Sequence, residues 1–508
     1  MKPIQVFLLA SPFALGLAQA AQQPAQVIET QFVTNFEGFF GLSVDMDGGT
    51  LAIGSREVIP GNSTQGRVAV YSRPSPSGPW VHTQDLGLEP LYTQSGGAGF
   101  GTMIEVAGDS LMTAGGLCWE FKRVGGRWQQ LEQIFPPTIP GWYTLSGVLS
   151  MAYDGQTLLT GFHQAQIAPG VLDPAATFWE RNGTWTPVWT VRGSDLGLPV
   201  DNTGFGAFTA LSGDLAAVSA WRAPSGNVTD VGAVFTFRRV NGVWQYEQTL
   251  NRPGQATHDH KFGVGLAMDN DWLFVACFRD IGDVSSIYAY RRAPGLGWQF
   301  HSKINPTVGN TAGLPFLGLA AKIDWVAPYL AVTAGSYIAP PATPGAPANG
   351  VGAVFVYELC GDVWNQHLGL AAPPSFGYSG IGTRRDGMAF DGETIAVGGP
   401  NWWGGSPPVN DRGIAAVAEF RPGNPGSCLE VGRIACDPST PETTDCPCGV
   451  PMTPGRGCPN PVGPGARSRP GAASTRPRRG ACSSRLTARE HRPAGRRPLR
   501  HQANCPRA

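Results

Sequence analysis

The chain has 508 residues, which is enough for two or three average domains or for one large repeat architecture with a tail. An apolar content of 42% excludes a wholly disordered protein, and 69 glycines, 45 prolines and 15 tryptophans with only 15% charged residues are typical of turn-rich all-β proteins. The net charge is zero only because residues 464–508 hold twelve arginines and one acid, leaving 25 basic and 36 acidic residues before position 464. This mildly acidic body argues against a nucleic-acid role.

The first twenty residues have the order of parts found in a cleavable export signal. Lys2 supplies the positive start, residues 4–17 form the apolar middle, and Ala18 to Ala20 form a small-residue cleavage site. A spanning helix needs about 20 apolar residues, whereas this run is shorter and contains Ser11-Pro12. We predict cleavage after Ala20 and a protein that is secreted or held at the cell envelope; a membrane anchor is the alternative.

A four-part unit recurs through residues 26–420. Its first part is a strand that opens with Phe-Gly, at Phe40, Phe100, Phe205 and Phe262. The second part is an apolar strand after a polar turn, as in GDLAAVSA from Gly213, and the third is a strand such as GAVFTFRR from Gly232; each occurs seven times. The fourth part begins at a tryptophan and occurs six times, at Trp80, Trp128, Trp185, Trp244, Trp298 and Trp364.

The missing fourth strand predicts how the fold closes. GIAAVAEF from Gly413 is not followed by a tryptophan strand, while QVIETQFVT at residues 26–34 resembles an orphan fourth strand. A closed ring removes exposed sheet edges, and it is sealed well when an N-terminal strand completes the last sheet. We therefore predict an all-β, seven-bladed β-propeller of four-stranded antiparallel blades, in which the N-terminal strand closes the last blade.

The repeat resembles the FG-GAP repeat, which is the blade unit of the integrin α-subunit N-terminal propeller and of many secreted bacterial proteins. The resemblance rests on the Phe-Gly start, IAVGGP from Ile395 and GAVFVY from Gly352, and it covers about 395 of 508 residues. Ser146-Gly147, Leu317-Gly318 and Ile381-Gly382 depart from the Phe-Gly pattern. Kelch and sialidase-type propeller repeats fit less well, because their glycine, tyrosine and aspartate positions are not matched.

In integrins some of these blades bind calcium through an Asp-x-Asp-x-Asp-Gly-x-x-Asp loop. Here only Asp45 with Asp47, and Asp269 with Asp271, approach that pattern, and neither pair has the later acids. Aspartate and glycine are also what a tight hairpin requires, so we favour turns over calcium and expect no cofactor.

The segment HDHKFG, from His258 to Gly263, is a candidate metal cluster. A zinc site needs three or four ligands, and His258 and His260 supply two at most, so we favour a solvated loop. The familiar hydrolase, metalloprotease, phosphate-loop and dinucleotide motifs do not occur in the sequence, and we assign no catalytic residue. Gly263 itself follows Phe262, and we predict that it lets neighbouring backbones approach closely in a crowded ring.

Strand direction alternates, so the connections after the second and fourth strands lie on one face of the disc, and in sequence they are the long ones. We predict that this long-loop face is the working face, since function concentrates in long loops. Its candidate partner-binding residues are aromatic or basic, and they are Trp142, Tyr143, Trp221, Arg222, Tyr337, Trp402 and Trp403. The alternative is that these rings fold back over the tops of the blades.

The end of the chain changes character twice. We place the propeller at residues 21–425, a Cys/Pro/Gly-rich linker at 426–463 and a disordered tail at 464–508. CPCG followed by GCPNP resembles the linker before a C-terminal module in secreted planctomycete-type proteins, and a disulfide-stapled linker of open connectivity is expected. The arginine-only tail is either the product of a frameshift in GC-rich DNA or a polybasic arm. The propeller cysteines Cys118, Cys277 and Cys360 are expected to be free thiols.

Three functions fit these observations. The first is a monomeric, non-catalytic propeller that binds an extracellular protein or glycan through its long-loop face. The second is a polysaccharide hydrolase or lyase with a site at the mouth of the central channel, which a converging pair of acids would favour. The third is a structural module of an envelope assembly.

Overall fold

The structure, a computed structural model, describes residues 26–29, 39–58, 64–75, 78–87, 99–138, 142, 147–280, 285–305, 322–334, 352–371, 387–399 and 414–420. The predicted export signal, linker and tail lie outside the described residues and stay predictions. No helix in the described ranges is both long enough and apolar enough to cross a membrane.

Seven four-stranded antiparallel sheets form the fold, as predicted. Strands are given from inner to outer. Blade 1 consists of β2 (Ser43–Asp47), β3 (Thr50–Val58), β4 (Thr64–Ser72) and β5 (Val81–Leu86). Blade 2 consists of β6 (Met103–Ala107), β7 (Ser110–Gly115), β8 (Leu117–Val124) and β9 (Arg127–Ile134), and blade 3 of β10 (Ser150–Tyr153), β11 (Thr157–Phe162), β14 (Ala175–Asn182) and β15 (Thr184–Arg192). A small hairpin of β12 (Gln166–Ala168) and β13 (Val171–Leu172) is inserted in blade 3, and a 3-10 turn spans Ser194–Leu196.

The remaining four blades follow the same order. Blade 4 consists of β16 (Phe205–Ser212), β17 (Leu215–Ala220), β18 (Ala233–Val240) and β19 (Val243–Asn251), and blade 5 of β20 (Phe262–Met268), β21 (Trp272–Cys277), β22 (Ser286–Ala293) and β23 (Gly297–Ile304). Blade 6 consists of β24 (Ile323–Val326), β25 (Tyr329–Ala334), β26 (Ala353–Cys360) and β27 (Val363–Ala371). Blade 7 consists of β28 (Met388–Phe390), β29 (Thr394–Gly399), β30 (Ile414–Glu419) and β1 (Gln26–Glu29).

The ring closes through the N-terminal strand. β1 pairs antiparallel with β30, from Gln26 opposite Val417 to Glu29 opposite Ile414, and so supplies the outer strand of blade 7. Each inner strand contacts the inner strand of the next blade, and β28 contacts β2, which completes the circle. The predicted closure by an N-terminal strand is confirmed.

The core lies between the blades rather than inside any one of them. Along β17, Ala216 and Val218 pack in a cluster with blade 3, while Leu215 and Ala217 pack in a cluster with blade 5. Because both faces of the sheet are covered, second strands such as β17 and β21 are buried along their whole length and have continuous apolar sequences instead of alternating ones. This explains why the second strand is the most regular part of the repeat.

The Phe-Gly glycine lies at a joint between blades, whereas the sequence predicted a close approach of backbones in the crowded ring. Gly263 has φ +101°, and a Cβ there would come within 3.0 Å of the Ser219 Cβ in the preceding blade. The ring of Phe262 meets Tyr288 of its own blade edge-on at 5.5 Å, while its backbone N–H donates to Val231 of the preceding blade over 2.9 Å. The close approach is therefore to the second strand of the previous blade and not to the channel axis.

The six tryptophans of the fourth strand are part of the architecture. Each of the five that begin the outer strands of blades 1 to 5 is buried under an arginine from the end of its own third strand, at 4.9 to 5.7 Å: Arg73–Trp80, Arg123–Trp128, Arg181–Trp185, Arg239–Trp244 and Arg292–Trp298. The Gln84 amide also holds the backbone of Trp128 in the next blade, through bonds of 2.8 and 2.9 Å. Gln248 does the same for Trp298.

The outer strands carry a repeated irregularity that the sequence did not predict. In six blades the pairing of the third and outer strands contains a register shift; in blade 4, for example, Thr236 lies opposite Gln248 but Phe237 lies opposite Tyr246, so Glu247 is an extra residue. Bulges of this kind twist an edge strand and blunt its tendency to pair with other chains.

Two of the propeller cysteines are free and buried, as expected, namely Cys118 and Cys277. Cys360 takes part in a disulfide bond, so the expectation of a free thiol is wrong for that residue.

Candidate functional site: an aromatic and cationic cluster on the long-loop face

The connections on the two faces of the disc differ in length, as predicted. In blade 4 two residues join β16 to β17 and two join β18 to β19, whereas residues 221–232 join β17 to β18. Blades 1 and 2 contain exceptions. Eight residues, 73–80, join β4 to β5 on the short-turn face, and Gly116 alone joins β7 to β8 on the long-loop face. The long-loop face therefore offers more chain that is not committed to sheet pairing.

On the short-turn face, aspartates of the inner turns act as hydrogen-bond acceptors. Oδ1 of Asp269 accepts the N–H groups of Asp271 and Trp272 at 2.8 and 2.6 Å, and its Oδ2 accepts the indole N–H of Trp325 at 2.6 Å. Oδ2 of Asp47 accepts the N–H of Gly108 from the next blade at 2.7 Å. Asp269 therefore closes its turn, as the turn interpretation expects. Asp45, in contrast, lies on strand β2 and not in a turn.

On the long-loop face, three loops meet where blade 4 joins blade 5. They are residues 221–232 after β17, residues 252–261 after β19, and residues 278–285 after β21, of which 281–284 are not described. Five side chains from these loops form what we name the corner cluster, and they are Trp221, Arg222, Lys261, Phe278 and Arg279. Trp221 and Arg222 are two of the residues predicted from sequence.

Lys261 connects the two aromatic rings of the corner cluster. Its Nζ lies 5.9 Å from the ring centre of Trp221 and 5.3 Å from that of Phe278. The guanidinium of Arg222 lies over Trp221 at 5.5 Å, and that of Arg279 lies over Phe278 at 5.6 Å. The arrangement is two rings with three cations against them, which are favourable cation–π geometries.

Two aspartates partly neutralise these cations. Oδ1 of Asp230 pairs with Nε of Arg222 at 3.0 Å, and Asp259 lies 3.4 Å from Lys261 and 3.7 Å from Arg279. Asp230, Asp259 and Lys261 all have positive φ, of 54°, 66° and 51°, which is uncommon for residues other than glycine. Such backbone conformations persist only where the surroundings impose them, and they are concentrated at functional sites.

The loops are also joined to each other through the backbone. The N–H of Lys261 donates to Asp230 O over 2.9 Å, and the N–H of Arg279 donates to His260 O over 3.2 Å. These bonds fix the three loops relative to each other, which makes the corner cluster a preorganised surface.

A buried ionic group lies behind the corner cluster. Arg252 and Asp280, which are 7% and 4% exposed, pair at 3.0 Å, and Asp280 also binds the Tyr288 hydroxyl at 2.7 Å and Lys303 Nζ at 2.5 Å. Arg252 donates further to the carbonyl oxygen of Gln255. Because Asp280 directly follows Arg279, this group holds the third loop in place.

The histidines of HDHKFG hold loops together. Nδ1 of His258 accepts the N–H of Thr229 at 3.2 Å. His260 is buried, and its Nδ1 donates to Arg279 O at 2.8 Å, so its Nε2 accepts from the Thr257 hydroxyl at 2.7 Å. The expected solvated loop fits the exposed His258, but it is wrong for His260.

The other predicted partner-binding residues do not join the corner cluster. Trp142 lies beneath Arg192 at 5.4 Å and packs partly buried against the core between blades 2 and 3. Tyr143, Tyr337, Trp402 and Trp403 lie outside the described residues. Trp221 is itself partly buried on the core, so the alternative of rings folding back over the blades holds in part for Trp142 and Trp221.

Lys261, Phe278 and Arg279 were missed in the sequence. A signal for two of them exists, because blades 4 and 5 each place an aromatic residue and an arginine directly after the second strand, as Trp221-Arg222 and Phe278-Arg279. This aromatic–arginine pair becomes visible when the blade sequences are aligned on the end of their second strands instead of on the Phe-Gly start. Lys261 has no such signal, since it comes from a third loop.

Three acidic residues, which we name the channel acids, share one position on the inner strands, the strands nearest the centre of the ring. Asp45, Glu105 and Asp324 take the same register position on the inner strands of blades 1, 2 and 6, where the other four blades have alanine: Ala152, Ala210, Ala267 and Ala389. Oδ2 of Asp45 accepts the N–H of Val106 on the next inner strand at 2.5 Å.

Two of the channel acids, Asp45 and Asp324, have raised pKa values. Burial raises the pKa of Asp45 to about 7, against the opposing effect of Lys322, and burial also raises the pKa of Asp324. Lys322 Nζ lies 3.5 Å from Asp324 Oδ1. Blade 7 lies between blades 6 and 1 in the ring, so Lys322 and Asp324 influence Asp45 from beyond the neighbouring blade.

No protein-family model matches the chain, and no curated protein matches it either. The resemblance to FG-GAP repeats therefore rests on the repeat pattern of the chain itself. The seven-bladed propeller is consistent with a protein-binding role.

Proposed function

We propose that the protein is a secreted or cell-surface, non-catalytic propeller of the FG-GAP type that binds a protein or glycan partner through its long-loop face. The observation that carries this proposal is the corner cluster, in which Trp221 and Phe278 share Lys261 on a preorganised surface. Tryptophan and arginine are the residues most enriched where binding energy concentrates, and fixed loops lower the entropy lost on binding.

The short-turn face is a weaker candidate. Its tryptophans are buried, its arginines lie over those rings, and the inner-turn aspartates described above close turns or receive N–H groups of the next blade. These groups are therefore committed to holding the blades together.

The test is a binding screen of the mature chain against cell-surface proteins and glycans. Positive partners are then measured with Trp221→Ala, with Trp402→Ala/Trp403→Ala, and with Arg127→Ala as a control on the short-turn face. We expect Trp221→Ala to weaken binding by at least about tenfold, as truncation of a central anchor does, and Arg127→Ala to leave it unchanged. A partner that loses affinity only with Arg127→Ala would place the binding surface on the other face.

The channel supports a second candidate, a hydrolase or lyase acting on a polysaccharide. A carboxyl whose pKa is about 7, under the influence of a second carboxyl whose pKa is also raised, fits general acid–base chemistry near neutral pH. If this function is correct, degradation of an acidic or neutral polysaccharide is lost in both Asp45→Asn and Asp324→Asn and kept in Asp271→Asn, which changes an exposed turn. Degradation that survives both channel substitutions would exclude this site.

A further inference from the structure

The corner cluster also indicates what kind of partner it binds, and this inference rests on the proposed binding function. We propose that the corner cluster recognises a carboxylate-rich segment of a partner protein, with Arg279 and Arg222 as the groups that pair with its Asp or Glu side chains.

The guanidinium of Arg279 has no carboxylate within hydrogen-bond distance in the described part of the chain. Its side chain is 44% exposed, and the carboxylate paired with it, Asp259, lies at 3.7 Å. Two terminal nitrogens of a guanidinium form a planar fork that matches a carboxylate. Because Nε of Arg279 is buried, these terminal nitrogens are the donors that can meet an anion, and the side chain is held in position over Phe278.

Arg222 is in a similar state. Within the described ranges it meets a carboxylate through Nε alone, at Asp230, and 37% of its side chain is exposed. Its two terminal nitrogens are then available for bidentate binding, the stronger form of the arginine–carboxylate contact. The two arginines occupy equivalent positions after β17 and β21, so they present a pair of carboxylate sites on adjacent blades.

The region of the corner cluster has a local excess of positive charge. The cluster, the two aspartates paired with it and the buried group behind it together have five cations and three carboxylates: Arg222, Arg252, Lys261, Arg279 and Lys303 against Asp230, Asp259 and Asp280. The chain before residue 464 has 25 basic and 36 acidic residues, so its overall field repels an acidic partner. A local excess of positive charge on a negative body selects where such a partner can dock.

The cations over the two rings favour a protein partner over a glycan. Sugars bind aromatic side chains by stacking on an open ring face, but here cations already lie over the rings of Trp221 and Phe278. A carboxylate needs no displacement, because it pairs with the cations where they are. The cation–π contacts then orient the arginines for an acidic peptide.

The experiment measures binding of the mature full chain to immobilised poly-L-glutamate, polygalacturonate and neutral dextran at low and at physiological salt. The variants are Arg279→Gln, Arg222→Gln and their combination, with Arg127→Gln as the matched loss of one exposed arginine. The arginine-rich residues 464–508 are present in every variant, so differences between variants report the corner cluster. Thermal unfolding of each variant verifies that the fold is intact.

We expect the double substitution to weaken poly-L-glutamate binding by about tenfold or more, with a smaller salt dependence, while Arg127→Gln changes it less than about twofold. Poly-L-glutamate affinity that is unchanged by the double substitution overturns the inference, and so does equal or stronger corner-dependent binding of polygalacturonate. If a screened partner loses affinity with Trp221→Ala but not with the double arginine substitution, the proposed function stands and only this inference is overturned. Partners whose affinity is unchanged by Trp221→Ala would remove the proposed function as well.

Discussion

The hydroxyl of Ser43 in blade 1 donates a 2.7 Å hydrogen bond to the carbonyl oxygen of Gly101, the Phe-Gly glycine of blade 2. The same bond, at 2.8 Å, joins Ser150 in blade 3 to Gly206 in blade 4. In both cases a glycine of the second strand, Gly54 or Gly161, lies against the same carbonyl. The repeat thus encodes a joint between successive blades, made of one hydroxyl, one second-strand glycine and the carbonyl of the next Phe-Gly glycine.

The joint predicts that Gly54→Ala is destabilising. An alanine Cβ at Gly54 would overlap the carbonyl oxygen of Gly101 and the hydroxyl of Ser43, so blades 1 and 2 must move apart. We expect a loss of about 1–3 kcal/mol in the free energy of unfolding, measured by chemical denaturation. Gly87→Ala is the control, because a Cβ there meets nothing within 4 Å. Equal stability of the two variants would contradict the joint.

Ring closure predicts a strong dependence on the N-terminal strand. Deleting residues 21–30 removes β1 and leaves β30 as an unpaired edge, whereas deleting residues 21–25 keeps the pairing from Gln26 to Glu29. The longer deletion should lower the melting temperature and promote aggregation, and the shorter one should do neither. Light scattering and thermal unfolding distinguish the two, and identical behaviour would show that closure does not depend on β1.

The channel carboxyl Asp45 makes stability fall as pH rises towards neutrality. Its pKa is raised from an ordinary value of 3.8 to about 7 in the fold, so between these values the native state binds more protons than the unfolded chain. The contribution of Asp45 to the free energy of unfolding is therefore highest below about pH 4 and decreases as the pH rises to about 7. Asp45→Asn keeps an oxygen for Val106 and removes the charge.

We expect Asp45→Asn to raise the melting temperature relative to the parent at pH 8 and to have little effect at pH 4. Asp271→Asn, in an exposed turn, controls for the loss of one negative charge. A melting temperature that Asp45→Asn lowers at pH 8 would mean that the ionised carboxylate is favourable in the channel.

The buried carboxylate Glu120 predicts a large effect at another joint. It accepts bonds from Arg181 and from the Trp185 indole in the next blade, the latter at 2.9 Å, and its side chain has no exposure. Glu120→Ala leaves a cation and an indole N–H without this partner and should cost about 3–5 kcal/mol in unfolding free energy. Asp109→Ala breaks an exposed pair with Arg123 and should cost less than about 1 kcal/mol. Comparable losses in the two variants would contradict the role of burial.

Much of the fold could be predicted because the same strand pattern recurs in every blade. Seven second strands gave the blade number, and the absence of a tryptophan strand after GIAAVAEF gave the closure by residues 26–29. The outer-strand bulges could not be predicted, because an extra residue such as Glu247 looks like any other residue in an alternating strand. The role of the tryptophans was also hidden, since Trp128 depends on Gln84 from another blade.

The candidate site was only half visible in the sequence. Trp221 and Arg222 stand together in the chain, whereas Lys261 and Phe278 reach them only because the ring brings three loops to one corner. The channel acids show the same limit, because the chain separates Asp45 from Asp324 and only closure of the ring lets them influence each other.

Hydrogen–deuterium exchange of the mature chain with and without a bound partner tests the central claim most directly. The account predicts that a partner slows exchange in residues 221–232, 252–261 and 278–280, which form the corner of blades 4 and 5, and leaves the short turns at 213–214 and 241–242 unchanged. Slower exchange at those short turns, with none at the corner, would contradict the account.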